Sequence, residues 1–285
     1  MAEISAALVM ELRRRTGLGM MECKKALSET SGDLDKAEEL LRIKSGAKAS
    51  KAASRIAAEG IIGAYVSPDM KLGSLVEINC ETDFVARNED FIAFAKALAE
   101  IVATRDPGPA EEDKRQKLVQ KIGENITIRR FKRLSAKGKL ALYVHAGAQI
   151  GVLVDYEGDE EVGKDLAMHI AFAKPEYLNK AEVPQQLVAD ERRIQEAKVK
   201  ESPKDSGKPA EIIAKIVEGA VGKFIGERTL LGQPFIKDDK QSVEKMLAAK
   251  KAKVNAYAFF VVGEGIEKKS TDFAAEVMAQ AGAAR

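Results

Sequence analysis

Residues 61–102 read IIGAYVSPDMKLGSLVEINCETDFVARNEDFIAFAKALAEIV and predict two strands followed by a helix. The runs at 61–66 and 72–80 are rich in aliphatic and β-branched residues and flank Ser-Pro-Asp, a common turn sequence. From Asn88, a suitable N-cap, apolar residues recur at helical spacing to about residue 102. The stretch therefore predicts a β-hairpin packed against a helix.

The same pattern occurs again further along the chain, with negligible sequence identity to the first copy. Residues 139–145 and 150–156 predict two strands around Ala-Gly-Ala, and residues 161–173 predict the helix that follows. A strand-like run at 254–262 returns late in the sequence, and we place it with this second hairpin. Between the copies lie a charged helix near 110–123 and a strand-like run at 125–134. The sequence thus predicts two related hairpin-plus-helix units.

Helices are predicted on either side of these units. Residues 4–44 predict a bundle of three short helices, broken by Thr16-Gly17-Leu18-Gly19 and by Ser31-Gly32-Asp33. Residues 185–226 predict an antiparallel helical hairpin, in which Pro209 opens the second helix. This hairpin is too thin to bury its own apolar stripe, so we expect it to protrude as an arm. A last short helix is predicted near 272–281.

Residues 44–55 (KSGAKASKAASR) are basic, small and rich in alanine, a composition that packs poorly. They predict a linker, which can be helical. The alternative is a surface that contacts RNA or another anion.

The predicted fold class is therefore α+β with several domains. The predicted segments are an N-terminal three-helix domain with its linker (1–55), a first core subdomain (56–138), a second core subdomain in two parts (139–184 and 229–264), an inserted helical arm (185–228) and a C-terminal helical module (265–285).

Composition limits the function classes. The 285 residues carry 46 basic and 44 acidic side chains, a net charge of +2. The protein as a whole therefore has no strong positive electrostatic field that would attract a polyanion. Aromatic residues make up 5% and tryptophan is absent, which leaves few platforms for stacking bases. No run approaches the ~20 apolar residues of a membrane span, and the N-terminus does not resemble a secretory signal. Cys23 and Cys80 lie far apart, as in a reduced, cytoplasmic protein.

We found no motif that predicts an enzyme, a cofactor or a metal site. His145 and His169 share no ligand spacing, and neither a Walker A loop nor a dinucleotide-binding loop is present. A nucleophilic pair of Cys80 and His145 is the one catalytic arrangement left open, although cysteine is commonly a buried apolar residue.

Two short segments suggest recognition of a partner. Met20 and Met21 follow a glycine turn and form either a flexible apolar recognition surface or part of the bundle core. Thr82-Asp83-Phe84-Val85 lies between a strand and a capped helix. Phe84 either folds back onto its own core, with Asp83 as a local cap, or projects as an anchor into a partner.

Two further segments have simpler structural explanations. The glycine-rich hairpin tip at 145–154 is either a plain turn or a second contact surface. Thr271-Asp272-Phe273 repeats the internal Thr-Asp-Phe, and a helix N-cap at Thr271 or Asp272 explains most of it.

Together these stretches resemble the elongation factor Ts family over nearly the whole chain. The motifs that carry the resemblance, in chain order, are Met1–Ile4, Glu11–Arg13, Thr16-Gly17, Gly19–Leu27 apart from Glu22, Gly32-Asp33, Thr82–Ala86, Lys121–Ile126, Ile128–Arg130, Gly232–Phe235, Val262–Lys268 and Thr271–Val277. The resemblance implies an N-terminal domain similar to ubiquitin-associated domains, a two-part core, a coiled-coil arm and a C-terminal module.

The resemblance also implies a function. The chain would release GDP from the GTPase elongation factor Tu, contacting GDP and Mg²⁺ only through that partner. Thr82, Asp83, Phe84 and Val85 would act at the partner's Mg²⁺ site. The resemblance further assigns partner contacts to Met20, Met21, His145, Ile150, Gly151, Asp272 and Phe273. Members of the family often have a basic residue just before Ile150, whereas this chain has Gln149. The arm varies in length among relatives, and we expect it to be a site of self-association.

Two other functions remain open from the residues. A ribosome- or RNA-associated protein would use the basic runs Lys44–Arg55 and Arg129–Arg133, although no specific nucleic acid is expected. A peptide-binding adaptor would use the N-terminal bundle alone, in the manner of a ubiquitin-associated domain.

Overall fold

In the computed structural model of the protein, which describes residues 4–202, 204 and 207–267, the chain begins with three helices packed on one another. They are α1 (Ala6–Thr16), α2 (Met20–Glu29) and α3 (Leu34–Ala52). Gly17 ends α1 in the left-handed conformation, and Asp33 caps α3 with its carboxylate. Leu12 and Leu27 lie at the centre of the bundle without exposed surface. The predicted three-helix bundle is confirmed.

Residues 44–52 are helical, as the prediction allowed, but the expectation that this stretch packs poorly is wrong. Helix α3 continues to Ala52, and both Ala49 and Ala52 are buried in the apolar cluster that also contains Leu118 and Val119. Small alanine side chains let the helix lie close to its neighbour, so a composition that resembled a linker is a packing surface.

The first unit follows the prediction closely, with one added helix of a single turn. Its elements are β1 (Glu59–Val66), β2 (Leu72–Cys80), α4 (Asp83–Ala86), α5 (Glu89–Thr104), α6 (Pro109–Ile122) and β3 (Thr127–Ser135). The three strands are antiparallel in the order β1-β2-β3. The hairpin, the helix and the third strand are confirmed, whereas the short helix α4 was not predicted.

The second unit repeats this order. It begins with β4 (Lys139–Val144), β5 (Ile150–Glu157) and α7 (Glu160–Ala173). The arm follows as α8 (Gln185–Glu201) and α9 (Ala210–Arg228), and then come β6 (Pro234–Phe235), β7 (Asp238–Ser242), α10 (Val243–Ala249) and β8 (Lys253–Val261). Strand β8 joins the second hairpin, as predicted, and pairs there with β5, so the sheet order is β4-β5-β8. The small hairpin β6-β7 and α10 were not predicted.

The two sheets face each other, and each carries its helix on the opposite face. Ile62 and Leu75 of the first sheet and Leu140 and Leu153 of the second form one apolar cluster between them. Neighbouring residues of β2 and β5 point the other way, toward α5 and α7 respectively. The central strands are therefore buried on both faces, and the layers run helix, sheet, sheet, helix.

The arm forms a helical hairpin with its own small apolar cluster around Val199, Val217 and Val221. Its two ends meet, because the N–H of Leu230 donates to the carbonyl of Tyr177 at 2.8 Å. Pro209 precedes α9 as its N-cap residue, so the predicted start of this helix is confirmed to within one residue.

The helix predicted near 272–281 lies outside the described residues. Among those that the structure describes, no helix has the length and apolar character needed to cross a bilayer.

Candidate functional site

The segment between β2 and α5 directs Phe84 outward and Val85 inward. Thr82 caps the single turn of α4, its hydroxyl accepting the N–H of Val85 at 3.4 Å. Successive helical residues point about 100° apart. Val85 and Ala86 accordingly enter the core cluster below, whereas Phe84 stays 79% exposed. An apolar ring is thus held in solvent by a turn that is anchored on its other side.

The alternative in which Phe84 folds back onto its own core is wrong. Asn88 caps α5 by accepting the N–H groups of Asp90 and Phe91 at 3.0 and 3.3 Å, so that helix does not use Asp83 as its cap. Asp83 instead lies exposed on α4, where its carboxylate is 3.1 Å from the guanidinium of Arg87. An exposed pair of this spacing contributes little to stability.

The four residues of the predicted segment divide into two roles. Thr82 is bound internally, because its hydroxyl and its backbone N–H both donate to the carboxylate of Glu124, at 2.7 and 3.0 Å. Val85 is buried. Asp83 and Phe84 are the pair that a partner can reach.

A groove of about 500 Å³ runs from this turn to the tip of the second hairpin. Ala86 and Arg87 line it on one side, and Leu142, Val144 and Ala148 on the other. Leu142 and Val144 are themselves exposed. Two segments that lie about sixty residues apart in the sequence therefore border one apolar surface.

The predicted contact residues of the second hairpin do not share one environment. His145 is exposed, and its Nδ1 lies 2.9 Å from the hydroxyl of Tyr143. Ile150 packs partly into the second core. Gly151 is buried between the sheets, where an added Cβ would lie 2.5 Å from Cγ2 of Ile62. Of the three, His145 is the residue directly open to a partner.

Met20 and Met21 are both exposed, at 51% and 76%, in the first turn of α2. The alternative in which one of them fills the bundle core is wrong, because Leu18 and Cys23 take the buried positions on either side. Asp272 and Phe273 lie outside the described residues.

Cys80 and His169 are both buried and hydrogen-bonded within the protein. Burial, reinforced by the charge of Glu124, raises the pKa of Cys80 to about 12, and its thiol donates to the carbonyl of Thr82. Burial disfavours the charged form of His169 as well, and for a histidine this lowers the pKa. The N–H of Ile236 donates to Nδ1 of that ring, so Nε2 carries the proton and donates to Gln233 at 3.1 Å. Cys80 is buried and His145 exposed, and no hydrogen bond joins them within the described residues.

No group of three or more histidine, cysteine or carboxylate side chains is placed to hold a metal ion anywhere in the described part of the chain.

Most basic side chains of the two basic runs form ion pairs within the protein. Arg129 and Arg130 both bind the fully buried carboxylate of Glu77, and Arg133 binds Asp106. Burial alone would raise the pKa of Glu77, but the N–H of Gly263 and the two arginines lower it below its ordinary value. Lys44 and Lys48 pair with Glu29 and Glu22 of the bundle. Such pairing disfavours these runs as a surface for nucleic acid.

Glu124 and Arg87 are the residues around the turn that the sequence did not identify. Glu124 acts through contacts across the fold, and its carboxylate carries no local signal of those partners. Arg87 pairs with Asp83 only four residues away, and it was missed because α4 itself was not predicted. Glu124 stood in the Lys121–Ile126 motif but had no role assigned to it.

Comparison with known proteins identifies relatives of the whole chain. The family model described as "Elongation factor TS" matches residues 81–264. The protein named "Elongation factor Ts" of Bordetella petrii is 58% identical over 293 residues, covering 99% of each chain. Those of Azoarcus sp. and Burkholderia multivorans are 58% and 56% identical, over 297 and 298 residues, and each comparison covers 100% of this chain and 99% of the relative.

Proposed function

This chain belongs to the elongation factor Ts family of translation elongation factors, and we propose that it releases GDP from the GTPase elongation factor Tu. The observation that carries the proposal is Phe84, an aromatic side chain 79% exposed on an anchored turn beside Asp83. Buried aromatic anchors contribute much of the binding energy in protein interfaces. A ring held in water by the free protein therefore gains its apolar contacts only in a complex.

The proposed mechanism needs no bond to be made or broken by this chain. A GTPase holds GDP through its phosphates and through Mg²⁺, so a partner that disturbs those contacts speeds release. Phe84 would supply the apolar wedge, and Asp83, freed from its exposed pair with Arg87, would bring a carboxylate to the metal site. Thr82 and Val85 would support the turn from within.

Thermodynamic linkage sets the direction of the exchange. If the factor weakens GDP binding, then GDP weakens binding of the factor to the same degree. The factor therefore speeds exchange of either nucleotide, and their concentrations decide which one is loaded.

A larger contact surface is part of the proposal. The apolar groove between the turn and the second hairpin, with His145 at its tip, would extend the docking surface. Met20 and Met21 would add a second one from the N-terminal bundle, and Asp272 and Phe273 a third. We propose the segments 1–55, 56–138, 139–184 with 229–264, 185–228 and 265–285 as the domains, with the arm as a site of self-association.

The direct test is release of fluorescently labelled GDP from purified elongation factor Tu, chased with excess unlabelled nucleotide. We expect the rate to rise with factor concentration to a plateau, equally with GDP or GTP as the chase. A release rate that does not respond to the factor would refute the proposal. A steeply salt-dependent affinity for RNA, measured in parallel, would favour the RNA-binding alternative instead.

A further inference from the structure

Two glutamates cross between the turn that carries Phe84 and the turn that precedes β3. The carboxylate of Glu124 accepts the backbone N–H groups of Glu81 and Thr82 at 3.1 and 3.0 Å, and the hydroxyl of Thr82 at 2.7 Å. In the other direction, the carboxylate of Glu81 accepts the backbone N–H of Asn125. Each turn thus provides the acceptor for backbone donors of the other, and we call this arrangement the glutamate clamp.

The clamp is supported from the end of α3. The guanidinium of Arg55 lies 3.1 Å from the carboxylate of Glu81 and donates to the carbonyl of Gly123 at 2.9 Å. Asn125, which is buried, donates its side-chain amide to the carbonyl of Arg55 at 2.7 Å. The bonds of Glu124 and Asn125 are partly buried, whereas the bond from Arg55 to Gly123 is exposed. Hydrogen bonds to charged groups are stronger than neutral ones, and more so when they are withdrawn from water.

The geometry separates two roles for Glu124. A carboxylate that acted on a partner's metal ion would keep an oxygen free for it. Here Oε1 binds the hydroxyl of Thr82 and Oε2 binds two backbone N–H groups, all three from the segment just before Phe84. Glu124 therefore acts on the turn.

The turn has little stability of its own. Helix α4 is four residues long, and one helical turn is not stable in isolation. Val85 and Ala86 fix its inner side, while the clamp fixes the backbone by which the chain enters it. Without the clamp, Phe84 and Asp83 would sample several orientations, and the complex would have to order them at a cost in free energy.

We propose that Glu124 is a positioning residue for nucleotide exchange, holding the Phe84 turn through the glutamate clamp. This inference rests on the proposed release of GDP from elongation factor Tu.

Two conservative variants of Glu124 separate the effect of side-chain length from the effect of charge. Glu124→Gln removes the charge but keeps the reach, since its amide oxygen can accept the two N–H groups and its amide N–H can donate to the hydroxyl of Thr82. Glu124→Asp keeps the charge but is one methylene too short to meet all three donors. We expect the Gln variant to approach the wild-type plateau rate of GDP release and the Asp variant to lose about tenfold. Glu161→Ala, which removes an exposed partner of Lys250, is the control and should be unchanged.

A double-mutant cycle tests whether Glu124 acts through Phe84. In a protein that already carries Phe84→Ala, adding Glu124→Asp should slow release by a smaller factor than it does in the wild type, because only Asp83 remains of the two side chains that the clamp positions. Fully additive losses would contradict the proposal, as would a Gln variant slower than the Asp variant.

The same assay distinguishes the two levels of failure. If wild-type protein does not speed GDP release, the proposed function is wrong. If wild-type protein does so and Glu124→Asp matches it at saturation, only the positioning role is wrong. Thermal unfolding of each variant confirms that folded proteins are being compared.

Discussion

The two sheet units share three strands and a helix, which we call the frame: β1, β2, α5 and β3 in the first unit, and β4, β5, α7 and β8 in the second. They carry insertions, which we call elaborations, at different connections. In the first, residues 81–88 separate β2 from α5 and form the exposed Phe84 turn. In the second, only Gly158 and Asp159 separate β5 from α7, and Asp159 caps the helix at once by accepting the N–H of Val162 at 2.9 Å. The second unit carries its insertion later, between α7 and β8, as the arm, the β6-β7 hairpin and α10.

The shared elements and the insertions differ in whether their large apolar side chains are mostly buried or exposed. The shared elements carry most of the buried apolar residues of both units, such as Phe91 on α5 and Leu166 on α7. In the second unit, Phe235 of β6 and Val243 of α10 join the same core. The elaborations carry exposed apolar residues, Phe84 in the first and Ile194 and Ile212 in the second. We infer that the frame provides most of the stability and that each elaboration adds exposed apolar surface, in addition to that of the groove that Leu142 and Val144 of β4 border.

The largest expected effect on stability comes from the shared frame. Phe91→Ala and Leu166→Ala each empty a fully buried site, and we expect them to cost about 3–5 and about 2–5 kcal/mol of unfolding free energy respectively. Phe84→Ala should cost less than ~0.5 kcal/mol, because its ring is exposed. Urea unfolding of the three variants measures this. A Phe84 variant as unstable as the Phe91 variant would mean that the turn belongs to the frame.

A smaller effect distinguishes the two units by pH. His169 is buried in the second unit and its pKa is lowered, so the unfolded chain binds its proton more readily. Its contribution to stability is complete above the ordinary value of 6.5 and is lost as pH falls through the folded pKa. We expect the thermal midpoint to decline as pH is lowered from 7.5 to 5.5, and His169→Gln to flatten that decline.

The chain supplies the control, since His145 is its other histidine and is exposed. His145→Gln should keep the decline of the wild type. If the His145 variant flattened the profile and the His169 variant did not, the assignment to the second unit would be wrong. The lowered pKa of Glu77 in the first unit has the same sign and acts in a more acidic range, below its ordinary 4.5.

Removing the arm should also have only a small effect on the stability of the frame. The N–H groups of Glu176 and Tyr177 donate to the carbonyl of Arg228 at 3.0 and 3.2 Å, so the chain enters and leaves the arm at one place. Replacing residues 185–226 by a short Gly-Ser linker should leave the cooperative unfolding of the frame within ~1 kcal/mol. Sedimentation of the same variant reports self-association. An unfolded product would show that the arm is part of the frame.

The frame and the N-terminal bundle could be predicted from sequence because their signals are local. Alternating or continuous apolar runs, turn residues and the caps at Asp33 and Asn88 each specify a short segment. The placement of the run at 254–262 with the second hairpin was also predicted, because a late strand must find its partners earlier in the chain, but its pairing with β5 in particular was not.

The remaining features depend on contacts between distant residues. Ala49 and Ala52 resemble a linker until α6 is placed against them. Nothing in the sequence around Glu124 indicates that it accepts hydrogen bonds from Glu81 and Thr82. From the residues alone, the outward direction of Phe84 could be stated only as one of two alternatives, because a helix of one turn has no periodicity. The family resemblance was what favoured it.

The most direct test compares two equally exposed phenylalanines, Phe84 in the turn and Phe172 at the end of α7, which are 79% and 74% exposed. Release of labelled GDP from elongation factor Tu is measured at a factor concentration below saturation for wild-type, Phe84→Ala and Phe172→Ala proteins. Loss of an interface anchor of about 2 kcal/mol predicts that Phe84→Ala is roughly thirtyfold slower and Phe172→Ala unchanged. Equal losses in both variants, or none in Phe84→Ala, would contradict the assignment of recognition to the turn.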